Sequence, residues 1–320
     1  MSAVGTIGRK ILYLIPVLFA VTVLTFLLIK LLPGDPAVDI LGPGATPAAV
    51  QEIHHQLGLD KPLPAQYVHW LGNAVHGNLG QSYQNNQSTV SALRQRLPVT
   101  IELIILSQLI AFAIAVPLAL VAATKPNGLV DRLATTAAFG FLAIPDFILG
   151  VVLVFVFAVH WHVFPATGYT YLTANPVLNL KAMTLPAVTL AMASLAVYFR
   201  LLRTDLIATL QQDYIAMARS KGLSTRYIMV RHALRPSSFS LATVSGLQVG
   251  ALIGGTFITE SIFALPGVGS LAVQSIYSRD YLVVQGTVLV IAVGYVGINF
   301  VIDLLYTVLD PRIRRAGAIA

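Results

Sequence analysis

The segment "LPVTIELIILSQLIAFAIAVPLALVA", residues 97–122, contains a single charged side chain, that of Glu102. At 1.5 Å per residue, a helix of this length crosses a hydrocarbon layer of about 30 Å. Other apolar stretches are long enough to do the same, and they run roughly over residues 11–32, 133–159, 183–202, 239–259 and 282–308. The sequence therefore predicts an all-α integral membrane protein with six transmembrane helices.

The composition of the whole chain agrees with a membrane protein. Of the 320 residues, 56% are hydrophobic and only 10% are charged, which is not the composition of a soluble domain. The net charge of +7 is better explained by membrane topology than by nucleic-acid binding. The chain has no cysteine, which excludes disulfides, thiolate metal sites and a cysteine nucleophile.

The basic residues are concentrated in alternate loops. Because Lys and Arg accumulate on the cytoplasmic side of membrane proteins, this pattern predicts that both termini are cytoplasmic. We expect residues 11–32 to be a retained helix rather than a signal peptide, since they have spanning length and no small-residue cleavage site. Fourteen of the twenty Lys and Arg residues lie in the predicted cytoplasmic segments: Arg9, Lys10, Lys125, Arg132, Arg200, Arg203, Arg219, Lys221, Arg226, Arg231, Arg235, Arg312, Arg314 and Arg315.

Three regions follow from this topology. Residues 1–32 form the cytoplasmic start and first transmembrane helix, 33–96 a small extracytoplasmic helical lobe, and 97–320 a core with five further spans and a cytoplasmic loop at about 205–236. In the lobe, Thr46 is expected to cap a helix that starts at Pro47 and ends before Gly58. A second helix is expected from Pro64 to about Val75.

The cytoplasmic loop contains the stretch "DYIAMARSKGLSTRYIMVRHALRP", residues 213–236, which we call the bent block. Asp213 to Lys221 can form two helical turns, Gly222 can end them in the left-handed conformation, and Ser224 can cap a second helix that ends near Leu234. Two interpretations fit this pattern. The block is either an amphipathic hairpin whose cations meet lipid phosphates, or a knob that docks into a soluble partner.

The bent block resembles the EAA loop of ABC importer permeases, in the dipeptide, oligopeptide and nickel subfamily. The resemblance lies in Ala216-Met217-Ala218-x-x-x-Gly222, followed by Arg231-His232-Ala233-Leu234-Arg235-Pro236. It departs from the family pattern at Ala216, which replaces Glu, and at Met217, which replaces Ala. Further stretches similar to the family lie at residues 32–36, 58–64, 77–80, 259–269, 279–281 and 303–312, with Asn78 and Leu282 in place of the usual Asp and Pro.

The resemblance implies one of two permease subunits of a bacterial ABC importer in the cytoplasmic membrane. The implied partners are a second homologous permease, two ATP-binding subunits and an extracytoplasmic substrate-binding protein. Peptides are the expected cargo, with nickel chelates or another small solute as the alternative. ATP and Mg would bind to the partner ATPases, and no cofactor is expected on this chain. The sequence contains no Gly-x-x-x-x-Gly-Lys-Ser/Thr loop, so we expect a transporter subunit without its own ATPase site.

Functional residues can also be assigned, Asp146 from the cost of a charge within a span and the coupling residues from the resemblance. Asp146, next to Pro145 in the third predicted span, is expected either to be satisfied by neighbouring helix groups or to line the translocation path and meet a substrate's amine. Glu260 is assigned to the same path. Pro266, Gly267 and Gly269 are assigned to an outer loop that faces the binding protein. The residues expected to couple the chain to an ATPase subunit are Tyr214, Ala218, Arg219, Lys221, Gly222 and Leu223.

Other functional classes remain as alternatives. A proton-coupled secondary carrier would use intramembrane carboxylates such as Asp146, whereas a membrane scaffold would not transport at all. No Gly-x-Ser-x-Gly elbow or His-Glu-x-x-His helix supports an enzyme. The outer lobe contains four histidines, which can be solvated surface residues or ligands of nickel or zinc, and we expect no metal site: His54, His55, His69 and His76.

Overall fold

The computed structural model describes residues 3–31, 36–41, 44–56 and 58–309, and these contain helices and turns but no strand. This confirms the predicted all-helical class. We number the described helices α1 (Ala3–Leu31), α2 (Pro36–Leu41), α3 (Pro47–Gln56), α4 (Leu63–Val75), α5 (Thr89–Thr124), α6 (Leu129–Ala143), α7 (Asp146–His160), α8 (Pro176–Leu210), α9 (Asp213–Ser220), α10 (Thr225–Gly255), α11 (Phe257–Ile262), α12 (Val268–Tyr277) and α13 (Tyr281–Leu309).

Four described helices, α5, α8, α10 and α13, are long and apolar enough to cross a membrane. Helices α6 and α7 pass the same test together, as a pair bent by 104°. The apolar part of α1 that the structure describes, Leu12–Leu27, is shorter than these spans. The described residues therefore hold four candidate spans, or five if the bent pair is one, and the count of six remains a prediction.

The bend between α6 and α7 corrects the prediction of a continuous helix over residues 133–159. Ile144 has an extended backbone, with φ −92° and ψ 122°, because a residue before proline is driven out of the helical region. Pro145 is also non-helical, and the chain resumes its helix at Asp146. Asp146 consequently lies in the first turn of a new helix rather than in the middle of a span.

The chain forms two compact units, the first of which comprises the described parts of Met1–Thr100 and Pro266–Gly297. Here α1 packs against α4 through aromatic rings, with the centroids of Phe26 and Tyr67 5.6 Å apart. Thr46 accepts a hydrogen bond from the backbone of Ala49 ahead of α3, and Gly58 has a φ of +64° after it. The two predicted lobe helices are thereby confirmed, with the second starting one residue earlier than expected.

The segment between α4 and α5 is anchored in this unit by Asp280. The Asp280 carboxylate accepts hydrogen bonds from the hydroxyl of Ser82 and from the amide of Tyr83. Burial and the nearby Asp280 charge raise the pKa of Tyr83 to about 12, so its phenol stays protonated at neutral pH. Gly286 is also required here, because a Cβ at this position would lie 2.6 Å from Cγ2 of Thr89.

The second unit comprises the described parts of Ile101–Leu265 and Ile298–Ala320, and it is built around α8. Helices α6, α7, α10 and α11 all pack against α8, which contributes Tyr198, Phe199, Leu202 and other fully buried side chains. Small side chains let neighbouring helices approach closely, and this close packing matters in a membrane because no hydrophobic effect drives helices together in lipid. The part of α5 in this unit presents such a row every third or fourth residue: Ala111, Ala115, Ala119 and Ala122.

Polar groups buried in this core are paired across helices. Tyr198 donates to the side chain of Gln108, which in turn donates to Ser194 at 3.3 Å. Arg203 of α8 forms a bidentate pair with Asp131 of α6, in which the second hydrogen bond, from Nη2 to Oδ2, is 2.6 Å long. Such pairs fix the register of α8 against its neighbours because an unpaired buried charge is costly.

Candidate functional site

The first half of the bent block folds as predicted. Helix α9 ends at Ser220, and the chain then turns through Gly222, which has a φ of +80°. The amide of Gly222 donates to the carbonyl of Arg219 and the amide of Leu223 to that of Ala218, which is the Schellman pattern of a helix C-terminus. The hydroxyl of Ser224 then accepts from the amide of Tyr227 and caps α10.

The second half of the bent block differs from the prediction, since its helix does not end near Leu234. Helix α10 continues through Pro236 to Gly255, with a π-helical stretch at Ile228–Ala233. Pro236 has no amide hydrogen to donate to the carbonyl of His232 four residues earlier. That carbonyl accepts a hydrogen bond of 3.4 Å from the hydroxyl of Tyr214. The bent block is thus continuous with a candidate span.

The inner face of the bent block is apolar. Ile215, Ala218 and Ile228 form a buried cluster, which we call the inner cluster, and Leu210 packs against it. Ala218, which was assigned to the coupling residues, is only 7% exposed. Its small side chain belongs to the contact that holds α9 against α10. The inner cluster joins the turn to both neighbouring helices, so a force on the turn is transmitted to them.

The outer face of the bent block combines exposed apolar and cationic side chains. Tyr214 and Leu223 are exposed as predicted, whereas the 60% exposure of Met217 and the exposure of Tyr227 were not anticipated. The three-residue spacing of Tyr214 and Met217 on one helix was the available signal. Five cations are also exposed on the bent block: Arg219, Lys221, Arg226, Arg231 and Arg235. This surface suits a partner with an apolar floor and an acidic rim.

The two residues assigned to the translocation path differ in their exposure to solvent. Asp146 is exposed in the first turn of α7 and makes no hydrogen bond or ion pair with another described residue. Glu260 is fully buried and accepts a 3.0 Å hydrogen bond from Thr256. In this structure Asp146 is accessible to a solute, whereas Glu260 does not line an open path.

The residues assigned to an outer loop lie at the start of a helix. Gly267 has an extended backbone and immediately precedes α12, whose first amide, that of Val268, donates to Thr100 at 2.9 Å. Gly267 and Gly269 are buried, and Pro266 is half-buried. Both glycines are thus enclosed by other residues of this chain, and the contact of this segment with a binding protein stays a prediction.

The outer-lobe histidines do not form a metal cluster among the residues that the structure describes. His69 contacts the amide of Asn73, and Nδ1 of His76 lies 2.7 Å from the carbonyl oxygen of Gly72. His55 and His69 both line a cavity of about 320 Å³ in the first unit, together with Trp70. The metal-site alternative gains no support from this geometry.

Comparisons with known proteins match the chain along most of its length. Residues 115–315 match the family "Binding-protein-dependent transport system inner membrane component", and residues 5–104 match the N-terminal region of such membrane components. A protein of Brucella abortus (strain 2308), named as a peptide transport system permease protein, is 41% identical over 96% of this chain and 98% of its own length. The glutathione transport system permease protein GsiC of Escherichia coli (strain K12) is 36% identical over 96% of this chain and 97% of its own.

Proposed function

We propose, on the premise that this chain belongs to the family of binding-protein-dependent transport system inner membrane components, that it forms part of the translocation path of an ATP-driven peptide importer. The observation that carries the proposal is the full-length similarity to a protein named for peptide transport. The similarity to a permease named for glutathione, itself a tripeptide, favours peptides over nickel chelates as cargo.

In this proposal the bent block is the coupling element. Its exposed Tyr214, Met217 and Leu223 would enter a cleft on an ATPase subunit, while Arg219 and Lys221 pair with acidic groups around that cleft. The Schellman turn keeps the two helices at a fixed angle, and the inner cluster joins them to α8 and α10. ATP-driven closure of the ATPase pair would therefore move these helices and change access to the path.

The proposed assembly contains this chain, a second homologous permease, two ATP-binding subunits and an extracytoplasmic binding protein. ATP and Mg bind to the ATPase subunits, because this sequence has no phosphate-binding loop and needs an external source of energy. The complex lies in the bacterial inner membrane. The distribution of Lys and Arg supports cytoplasmic termini and a cytoplasmic bent block.

Gentle extraction of the tagged chain from its native membrane tests this assembly. We expect mass spectrometry to identify two copies of ATP-binding subunits, a second permease and a binding protein that carries a peptide. Nickel in the binding protein would retain the architecture and change the cargo. Recovery of the chain alone, together with uptake that a protonophore abolishes and loss of the ATPase does not, would favour a secondary carrier.

Asp146→Asn is expected to change the preference among peptides more than it changes ATPase docking. The exposed Asp146 carboxylate has no protein partner among the described residues, so it is free to interact with a cationic group of a passing solute. Uptake of a panel of peptides with different charges, compared with the amount of ATPase that co-purifies, measures the two effects separately. Identical uptake of every peptide by both forms would assign Asp146 a structural role.

A further inference from the structure

A polar cluster lies in the unit built around α8. It is located at the ends of α5 and α8 that the predicted topology places on the extracytoplasmic side of the membrane. The hydroxyl of Tyr169 donates a 2.7 Å hydrogen bond to Oε2 of Glu102. Asn179 donates from Nδ2 to the carbonyl of Thr170 at 2.8 Å, and its amide also interacts with the Tyr169 phenol. The loop before α8 thus places a phenol, and Asn179 at the start of α8 places an amide, near an acidic residue of α5.

This cluster contains two acceptor atoms without a donor. Oε1 of Glu102 and Oδ1 of Asn179 are both buried and have no hydrogen-bond partner. Asn179 is completely buried as a residue, whereas Glu102 is half-buried. Leaving a buried polar atom unpaired is destabilising, and more so when the atom is charged. The missing partner must be a hydrogen-bond donor, and a positive charge suits the carboxylate best.

Two tyrosine rings form the accessible side of the cluster. The centroids of Tyr169 and Tyr171 lie 5.2 Å apart in an edge-to-face arrangement, and Tyr171 is 53% exposed. Burial and the neighbouring Glu102 raise the pKa of Tyr169, so its hydroxyl remains a donor to the carboxylate. Aromatic faces also attract cations. A carboxylate with a free oxygen beside the Tyr169 phenol, whose ring contacts that of Tyr171, is chemically suited to an alkylammonium group.

We propose that Glu102, Tyr169, Tyr171 and Asn179 form a receiving site for a primary ammonium group on the outer side of the translocation path. The identity of that group as the amino terminus of a peptide rests on the proposed function. Glu102 supplies the counter-charge, the tyrosines supply aromatic faces, and Asn179 holds the loop in place through Thr170. The site would orient an incoming peptide with its amino terminus towards α5.

The absence of cysteine from the chain permits a direct test of charge selectivity. Tyr171→Cys introduces a thiol next to Tyr169, whose hydroxyl contacts Glu102, and Val163→Cys introduces one at a similarly exposed position of the same outer loop. In the complete complex, after replacement of any accessible cysteine of the partner chains, both thiols are labelled with a cationic and an anionic methanethiosulfonate reagent. We expect the cationic-to-anionic rate ratio to be at least about fivefold higher for Tyr171→Cys, and to fall to the Val163→Cys value when Glu102→Gln is added.

The outcomes of the labelling separate this site from its alternatives. An unchanged ratio after Glu102→Gln would mean that the carboxylate is neutral or serves only as a structural acceptor, and would overturn the proposal. In a Leu172→Cys variant, which labels the exposed neighbour of Tyr171 and keeps all four residues of the site, a free-amine peptide delivered during turnover should slow the labelling, whereas the same peptide with an acetylated amino terminus should not. Protection by both peptides, or by neither, would contradict recognition of the ammonium group.

Failure of this site and failure of the proposed function give different results. If the wild-type complex in proteoliposomes takes up no peptide, the proposed cargo is wrong whatever the labelling shows. If it takes up peptides, and Glu102→Gln lowers the uptake of free-amine peptides by less than about twofold at saturating binding protein, the receiving site is wrong and the importer stands.

Discussion

Gly222→Asp is expected to abolish ATP-driven uptake while the chain remains inserted in the membrane. Gly222 is exposed at the tip of the bent block, and a Cβ at this position would meet no atom of the chain within 4 Å. The new carboxylate would therefore lie on the docking surface, directly after Lys221 in the chain, where it opposes the attraction of the block's cations to an acidic cleft. Uptake into proteoliposomes should fall at least about tenfold, because loss of roughly 1.4 kcal/mol of docking energy weakens binding tenfold.

Gly77→Asp is a matched control for this substitution. Gly77 has a φ of +81°, almost the same as the +80° of Gly222, and it is likewise exposed with open space around it. Both variants carry the same backbone strain and the same added charge, but Gly77 lies in the outer lobe. We expect Gly77→Asp to retain most uptake and Gly222→Asp to lose co-purifying ATPase. Equal losses in both variants, or normal uptake by Gly222→Asp, would refute the coupling role.

Gly222→Asn separates charge from size at the same position. Asn adopts the left-handed conformation more readily than most side chains and matches Asp in volume. Partial uptake by Gly222→Asn would indicate that the negative charge causes most of the loss. Complete loss would indicate that the cleft has no room for a side chain at this position.

Arg203→Gln is expected to destabilise the protein by roughly 3 kcal/mol, in the range measured when one partner of a buried ion pair is removed. Asp131 is only 2% exposed, and Arg203 satisfies both of its carboxylate oxygens. The backbone amide of Asn127 donates a further 2.7 Å hydrogen bond to Oδ2 of Asp131. This hydrogen bond cannot replace the lost positive charge. Thermal unfolding of the detergent-purified complex, followed by the signal of this chain, measures the change.

Two further variants make the Arg203 prediction specific. Arg200→Gln removes a cation one turn earlier on α8, where the guanidinium lies 4.8 Å from the ring centre of Phe139 and has no buried acid to neutralise. We expect it to cost less than about 1 kcal/mol. Adding Asp131→Asn to Arg203→Gln should restore much of the lost stability, because a neutral amide is cheaper to bury. A double variant as unstable as the single one would assign the effect to packing.

Local patterns in the sequence predicted the helices well where short-range chemistry decides the outcome. Thr46 and Ser224 cap helices as expected, and Gly58 and Gly222 adopt positive φ after helices end. These features depend on a few neighbouring residues, so the local sequence is enough to predict them. Pro145 and Pro236 show the limit of such rules. The first breaks a helix, whereas the second lies within one, where the freed carbonyl of His232 accepts a hydrogen bond from Tyr214.

The sequence by itself determined the membrane class, the helical content, the bent block and, through full-length similarity, the family. The tertiary structure alone decided which side of each element faces inward. It buried Ala218, Glu260, Gly267 and Gly269, which the sequence had assigned to contacts or to the path. It also brought Glu102 together with Tyr169, 67 residues away. Burial and long-range pairing depend on how helices distant in sequence pack, and that information is not contained in any local pattern.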